Sequence, residues 1–231
     1  MIEELQQEMQ SLKNPVKAKI LSRFFKTGKG EYGEGDQFIG LTVPQSRDIA
    51  KKYSRLPFKE VRELLKSSFH EERLVALLIL VHNYHKGNEK QKGDIFNFYI
   101  TNTQLINNWD LVDLTADKIV GANLVNKEKD ILYKLVKSKN LWERRISIIS
   151  TFHFIRKNNF KDTFKIAEIL LDDEHDLIHK AVGWMLREVG KRNQEAEETF
   201  LKKHYKKMPR TMLRYAVERF SKDKRKFYLG K

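Results

Sequence analysis

Residues 134–154, KLVKSKNLWERRISIISTFHF, and 169–189, ILLDDEHDLIHKAVGWMLREV, share one shape. Each is the end of one helix, a polar turn, and a second helix whose apolar residues return at i, i+3 and i+4. The stretch 64–84, LLKSSFHEERLVALLILVHNY, has the same shape. Aligning Arg73, Arg145 and Lys180 gives separations of 72 and 35 residues. A step of 36 from Arg73 lands on Trp109, inside LINNWDLVDLTADKIVG (105–121), which has the same form. Four units therefore stand at Arg73, Trp109, Arg145 and Lys180, the period of a two-helix solenoid repeat.

The rest of the chain agrees. Only four prolines (Pro15, Pro44, Pro57, Pro209) interrupt 231 residues. Val61, Leu64 and Leu65, then Leu74, Leu77, Leu78 and Val81, have helical spacing, as do Ile131, Leu132, Leu135 and Val136, then Ile146, Ile148, Ile149 and Phe152. No alternating segment is long enough to suggest a sheet. The expected architecture is all-α, a single domain over 1–231 built as an α-solenoid of two-helix repeats. The exception is FFKTGKGEYGEGDQFIG (24–40), which holds five of the eleven glycines and predicts a loop or short hairpin near 28–40. Its Gly28-x-Gly30-x-x-Gly33 spacing imitates a dinucleotide fingerprint, but no hydrophobic strand precedes it and the chain is not βαβ.

Composition narrows the function. The absence of cysteine excludes disulfides, thiolate catalysis and cysteine-based zinc sites. No apolar run reaches the roughly 18 residues that span a bilayer, and MIEELQQEMQ is no signal peptide, so a cytoplasmic protein without membrane contact is expected. His175 and His179 stand four apart in DDEHDLIHK, but the Glu that a zincin motif needs after its first His is missing, and no metal is expected. The net charge is +14, and residues 202–231 hold twelve Lys/Arg against Glu218 and Asp223, or +10 of that total. Such a segment is either the footprint of a polyanion binder or a solvated, partly frayed terminal helix.

Four residues beyond each repeat marker stand Leu77, Asp113, Ile149 and Trp184. Trp109 lies four residues before Asp113, on one helix face about a turn away. Stacked repeats line one concave surface with their second helices, which predicts Trp109, Asp113, Arg145 and Trp184 on one wall. Singly, each has a plainer reading: a tryptophan in the core, a solvated or ion-paired aspartate, an arginine at the surface or paired with Asp113. Two tryptophans, an acid and an arginine on one predicted face suggest a binding or catalytic surface.

NNWDLVD (107–113), NLWERR (140–145) and KAVGWMLRE (180–188) resemble signature segments of the AlkD family of bacterial DNA alkylation repair glycosylases. FIGLTVPQSR (38–47) and MPRTMLRYAVERF (208–220) are also similar, and the resemblance runs through essentially the whole chain in the same order. It implies a fold of HEAT-like repeats. It also implies a catalytic acid at Asp113, contacts to the lesion's deoxyribose at Trp109 and Trp184, and backbone contacts at Arg145, extended to the nearby cations Lys180 and Arg187. Phe24 and Thr42 fall where the family has an N-terminal contact. The activity implied is hydrolytic excision of positively charged N3- or N7-alkylated purines from duplex DNA, by a monomer with no cofactor and no base-binding pocket, associated with the nucleoid during repair. Two other readings stand beside it: a non-catalytic DNA-binding paralogue that recognises distorted or branched DNA, and a HEAT-like protein scaffold.

Overall fold

The computed structural model describes residues 1–230; Lys231, the last member of the basic segment, lies outside them. The fold is all-α: no strand occurs among the described residues, and one isolated parallel bridge joins Gln37 to Phe69. No helix among them is long and apolar enough to cross a membrane. The chain divides into two compact units, Met1–Thr115 and Ala116–Lys231.

The first unit contains α1 (Ile2–Ser11), α2 (Pro15–Phe24), α3 (Val43–Lys52), α4 (Phe58–Leu65), α5 (His70–Lys86), α6 (Glu89–Thr101) and the short α7 (Trp109–Asp113). Capping explains several starts. Asn14 accepts from Lys17 N at 3.0 Å, with Pro15 as the first helical residue of α2. Reciprocal capping boxes, Thr42 with Gln45 and Asn88 with Gln91, open α3 and α6. Helix α5 is the core, with α3, α4, α6 and α7 packed on it. It is buried without a break from His70 to Val81, as a helix apolar on nearly every face should be. His70, Glu71, Glu72 and Arg73, the charged residues ahead of the apolar run, belong to this helix and are buried with it.

The second unit opens with a π-helical turn at Asp117–Gly121 and α8 (Ala122–Leu124). It continues through α9 (Asp130–Leu135), α10 (Leu141–Ser150), α11 (Phe152–Ile155), α12 (Lys161–Ile169), α13 (Asp176–Gly190), α14 (Gln194–His204), α15 (Arg210–Ala216) and α16 (Lys222–Leu229). Three helix–turn–helix pairs recur, α9/α10, α12/α13 and α14/α15. Their second helices pack in succession, α10 on α13 and α13 on α15. Gly183 permits the second approach: a Cβ there would lie 2.4 Å from the Met212 carbonyl oxygen and 2.5 Å from Tyr215 Cβ.

Two expectations are adjusted. The helices following each turn begin at 70, 109, 141 and 176, steps of 39, 32 and 35 rather than 36, 36 and 35. The irregular member is the Trp109 unit, whose helix stops after five residues before the chain passes into the π-helical turn. The segment after 202 is no frayed helix: α15 and α16 bury Met212, Leu213, Ala216 and Tyr228, while every described lysine and arginine of the segment is exposed.

Candidate functional site

In the first unit, Asn108 caps α7, its side-chain oxygen accepting from Trp109 N at 2.8 Å. Trp109 is then the first residue of the helix and Asp113 the last, four positions on and on the same face. Both are half-buried. An aromatic cluster holds the indole. Phe25 stacks on it with centroids 5.1 Å apart, Phe24 meets it edge-on at 5.7 Å, and its Nε1 donates to the Tyr32 hydroxyl at 3.2 Å. The structure thus joins Phe24 to Trp109, a pairing that the sequence did not indicate. Thr42 has a local task as the N-cap of α3.

Behind this cluster lies an ionic group that the sequence reading missed. His70 presents Nε2 to Asp110 Oδ2 at 2.8 Å and Nδ1 to Asp36 Oδ2 at 3.4 Å, and Arg73 pairs with Asp36 at 2.7 Å. All four side chains are 10% exposed or less. Two carboxylates face two cations, so the group is neutral overall and each charge has a partner, which a buried charge requires. Burial opposes protonation of His70, but Asp110 and then Asp36 outweigh it and raise its pKa to about 9. Burial likewise works against the Asp36 carboxylate, yet His70 and Arg73 hold its pKa below the ordinary value. Next to them, the Glu71 carboxylate accepts from the backbone N–H of Ile39, Gly40 and Leu41 at 3.0, 2.8 and 3.3 Å.

One signal of this group was legible: HEER ahead of the apolar run of α5 puts charge on a helix with no polar face. Its partners Asp36 and Asp110 are 34 and 40 residues distant from His70, and helical periodicity does not report such pairings. A basic feature was also overlooked. Residues 10–30 carry Lys13, Lys17, Lys19, Arg23, Lys26 and Lys29 with no acidic residue. Helix α2 within this segment buries none of its side chains and exposes Val16, Ile20 and Phe24 at successive turns.

In the second unit, Arg145 is 4% exposed and its guanidinium donates to the Leu177 carbonyl. Trp184 is half-buried, its Nε1 donating to Glu188 at 3.1 Å and its ring tilted on Phe152 at 5.8 Å. Arg156, absent from the sequence reading, stacks its guanidinium 4.1 Å over Phe152 and pairs with the buried Asp117. Lys180 pairs with Asp176 at 2.6 Å, and Arg187 pairs with Glu218. These internal partners reduce the charge that Lys180 and Arg187 present outward. His175 accepts from Leu177 N at 3.1 Å and His179 contacts the Asp173 carbonyl, so both serve the turn before α13. A cavity of about 430 Å³ in the first unit is lined by Ser54, Arg55, Phe58, Asn83 and Lys86 among others, and neither Trp109 nor Asp113 lines it.

The family model described as DNA alkylation repair enzyme matches residues 5–220, nearly the whole chain. The chain belongs to the DNA alkylation repair enzyme family. No curated protein matches it. Among solved structures it is similar to a "Predicted DNA alkylation repair enzyme" from Enterococcus faecalis, at TM-score 0.70 and 20% identity over 91% of this chain and 97% of the other. At that identity the likeness shows the family's fold. Membership makes DNA the partner and alkylation repair the process.

Proposed function

We propose that the protein is a monomeric DNA glycosylase that hydrolyses the N-glycosidic bond of cationic N3- or N7-alkylated purines in duplex DNA. The observation that carries this reading is Asp113 one turn beyond Trp109 on α7, with the indole fixed by Phe25 and Tyr32. Family membership supplies the DNA.

Alkylation at N3 or N7 places a full positive charge on the purine and makes it a good leaving group. Its departure develops oxocarbenium charge on the sugar, which a fixed carboxylate at Asp113 stabilises while also orienting the attacking water. At 4 Å and an effective dielectric of 20, such a pair contributes about 4 kcal/mol. At 1.36 kcal/mol per decade, that is about three orders of magnitude in rate. The electron-rich indole face of Trp109 favours the same developing cation by about 0.5–2 kcal/mol; for Trp184 a deoxyribose contact is assigned from the resemblance alone. The resemblance assigns Arg145, Lys180 and Arg187 to the DNA backbone. Since Arg145 is turned to the Leu177 carbonyl and Lys180 and Arg187 pair with Asp176 and Glu218, phosphate contact requires each to exchange its internal partner. The basic segments 10–30 and 202–230 supply phosphate contacts, so affinity falls steeply with salt.

The test is release of free base from a duplex with one 7-methylguanine, wild type against Asp113→Asn, read by alkaline cleavage at the abasic site. Wild-type excision with a loss of about two to three decades in the variant is expected if electrostatic stabilisation has the size above. Excision untouched by the substitution would overturn the role of Asp113. If neither protein releases 7-methylguanine or 3-methyladenine while both bind duplex, the non-catalytic DNA-binding reading replaces this one.

A further inference from the structure

The glycine-rich loop 28–37 is the sequence feature that the proposed chemistry leaves without a task. It ends in contact with the helix that bears Trp109 and Asp113. We propose that this loop is the positioning element of Trp109, with Tyr32 orienting the indole and Asp36 anchoring the start of α7. Its effect on catalysis rests on the glycosylase reading; its effect on the indole does not.

Three observations carry the inference. The loop is fixed rather than loose. The Glu31 carboxylate accepts from Gly28 N at 2.9 Å and Glu34 from Gly30 N at 2.8 Å, so the acidic side chains close the loop's own turns. Gly33 N donates to the Lys26 carbonyl at 3.1 Å, and a Cβ at Gly33 would lie 2.4 Å from the Phe25 carbonyl oxygen. Only glycine allows the loop backbone to lie this close to the residue that stacks on Trp109.

The loop also reaches both ends of the problem. Tyr32 accepts from the single polar atom of the indole at 3.2 Å. Phe25 stacks on one face of the ring, with 20° between the planes, and Phe24 meets it edge-on, but neither contact engages its polar atom. The hydrogen bond from Nε1 adds the one directional restraint on the indole. It also draws the N–H proton toward oxygen, which enriches the π face that a cationic sugar would meet.

Asp36 works one step further back. Its Oδ2 accepts from Asn108 Nδ2 at 3.4 Å, and Asn108 is the residue that caps α7. The same carboxylate pairs with Arg73 and His70, and His70 reaches Asp110, the second residue of α7. Loop, buried ionic group and helix start are therefore one connected assembly within the first unit. Tyr32 and Asp36 are positioning residues, acting on the DNA through Trp109.

The test uses full-length ¹⁵N-labelled protein and the variant Tyr32→Phe, which removes one hydroxyl and no charge. The indole N–H resonance of Trp109 is assigned by its loss in Trp109→Phe. In Tyr32→Phe this resonance moves upfield and exchanges faster with solvent, while those of Trp142 and Trp184 stay in place. Single-turnover excision of 7-methylguanine falls about tenfold, the rate equivalent of roughly one hydrogen bond, with duplex affinity changed less than about twofold. An unmoved Trp109 resonance overturns the proposal, and so does a moved resonance with undiminished excision. If the wild type releases no base, the glycosylase reading fails separately. The loop is then judged by the resonance alone: a shift and faster exchange of the Trp109 indole N–H in Tyr32→Phe supports it, and an unmoved resonance overturns it. Asp36→Asn serves as the second variant, expected to perturb the same resonance.

Discussion

His70 Nε2 stands 2.8 Å from Asp110 Oδ2, a buried contact that ties the head of α5 to the helix carrying Trp109 and Asp113. A charged imidazole between two carboxylates makes this tie dependent on pH. The folded state keeps the His70 proton up to about pH 9, whereas an unfolded histidine releases it near 6.5. More protons are then bound in the native state than in the unfolded one across that window, so stability falls as pH rises. The contribution is complete below pH 6.5 and gone above 9. Replacing His70→Gln removes this slope, at most about 1.4 kcal/mol per pH unit inside the window. Thermal unfolding of wild type and variant at half-unit steps from pH 6 to 10 measures it; parallel curves would refute the coupling.

That contact also marks where sequence reading stops. Helical spacing was legible because α5, α10 and α13 place apolar residues toward neighbouring helices, and burial of Leu77, Ile149 and Val182 follows from it. Trp109 and Asp113 were legible because both lie on one short segment and a helix fixes their relation. Asp36 was not. It stands in a loop whose course is set by glycine backbone conformations and by the Glu71 carboxylate, and neither leaves a periodic trace. The sequence leaves Arg145 open between a surface position and a pairing with Asp113; in the structure it is buried, with its head group turned to the Leu177 carbonyl.

Glu197 gives a second pH dependence, in the other unit. It is wholly buried on α14, and neither carboxyl oxygen has a hydrogen-bond partner among the described residues. Burial, then the neighbouring Glu198, push its pKa up to about 9, with Arg187 acting weakly against them. An unfolded glutamate ionises near 4.5 while the folded one keeps its proton, so stability falls with pH from about 4.5 to about 9. Substitution Glu197→Gln keeps the shape without the ionisation. Between pH 6 and 7 the wild type should lose about 1.4 kcal/mol relative to the variant, or about 3–5 °C in Tm. A constant difference in Tm between the two proteins across that interval would contradict the assignment.

Packing of α13 on α15 depends on Gly183. A methyl group at that position meets the Met212 carbonyl oxygen, a backbone atom that cannot swing aside. Gly183→Ala should therefore destabilise by about 1–3 kcal/mol, the usual range for overpacking a core. Gly93, inside α6, is the contrasting site, since a Cβ there would have nothing within 4 Å. There the same change should be neutral or stabilise by about 0.4–1 kcal/mol, since alanine loses less backbone freedom on folding. Urea midpoints at constant m value distinguish the two; equal effects would show that close approach at Gly183 does not limit the packing.

The proposed chemistry also makes a claim about substrates that are not charged. An electrostatic contribution from Asp113 of about three decades adds usefully to a bond that alkylation has already weakened, and does little for a neutral nucleotide. Selectivity then resides in the lability of the lesion, and no pocket has to inspect the base. A glycosylase that extrudes its target must instead close around it. Ethenoadenine and hypoxanthine, both uncharged, should be released at least about a thousandfold more slowly than 7-methylguanine from otherwise identical duplexes, the shortfall expected when the leaving group carries no charge of its own. Parallel single-turnover assays on the three duplexes decide the matter. Rapid release of either neutral base would mean that the protein recognises the base itself. In that case some group would have to protonate a neutral leaving base, a task that a carboxylate stabilising a sugar cation in its ionised form is poorly placed to perform.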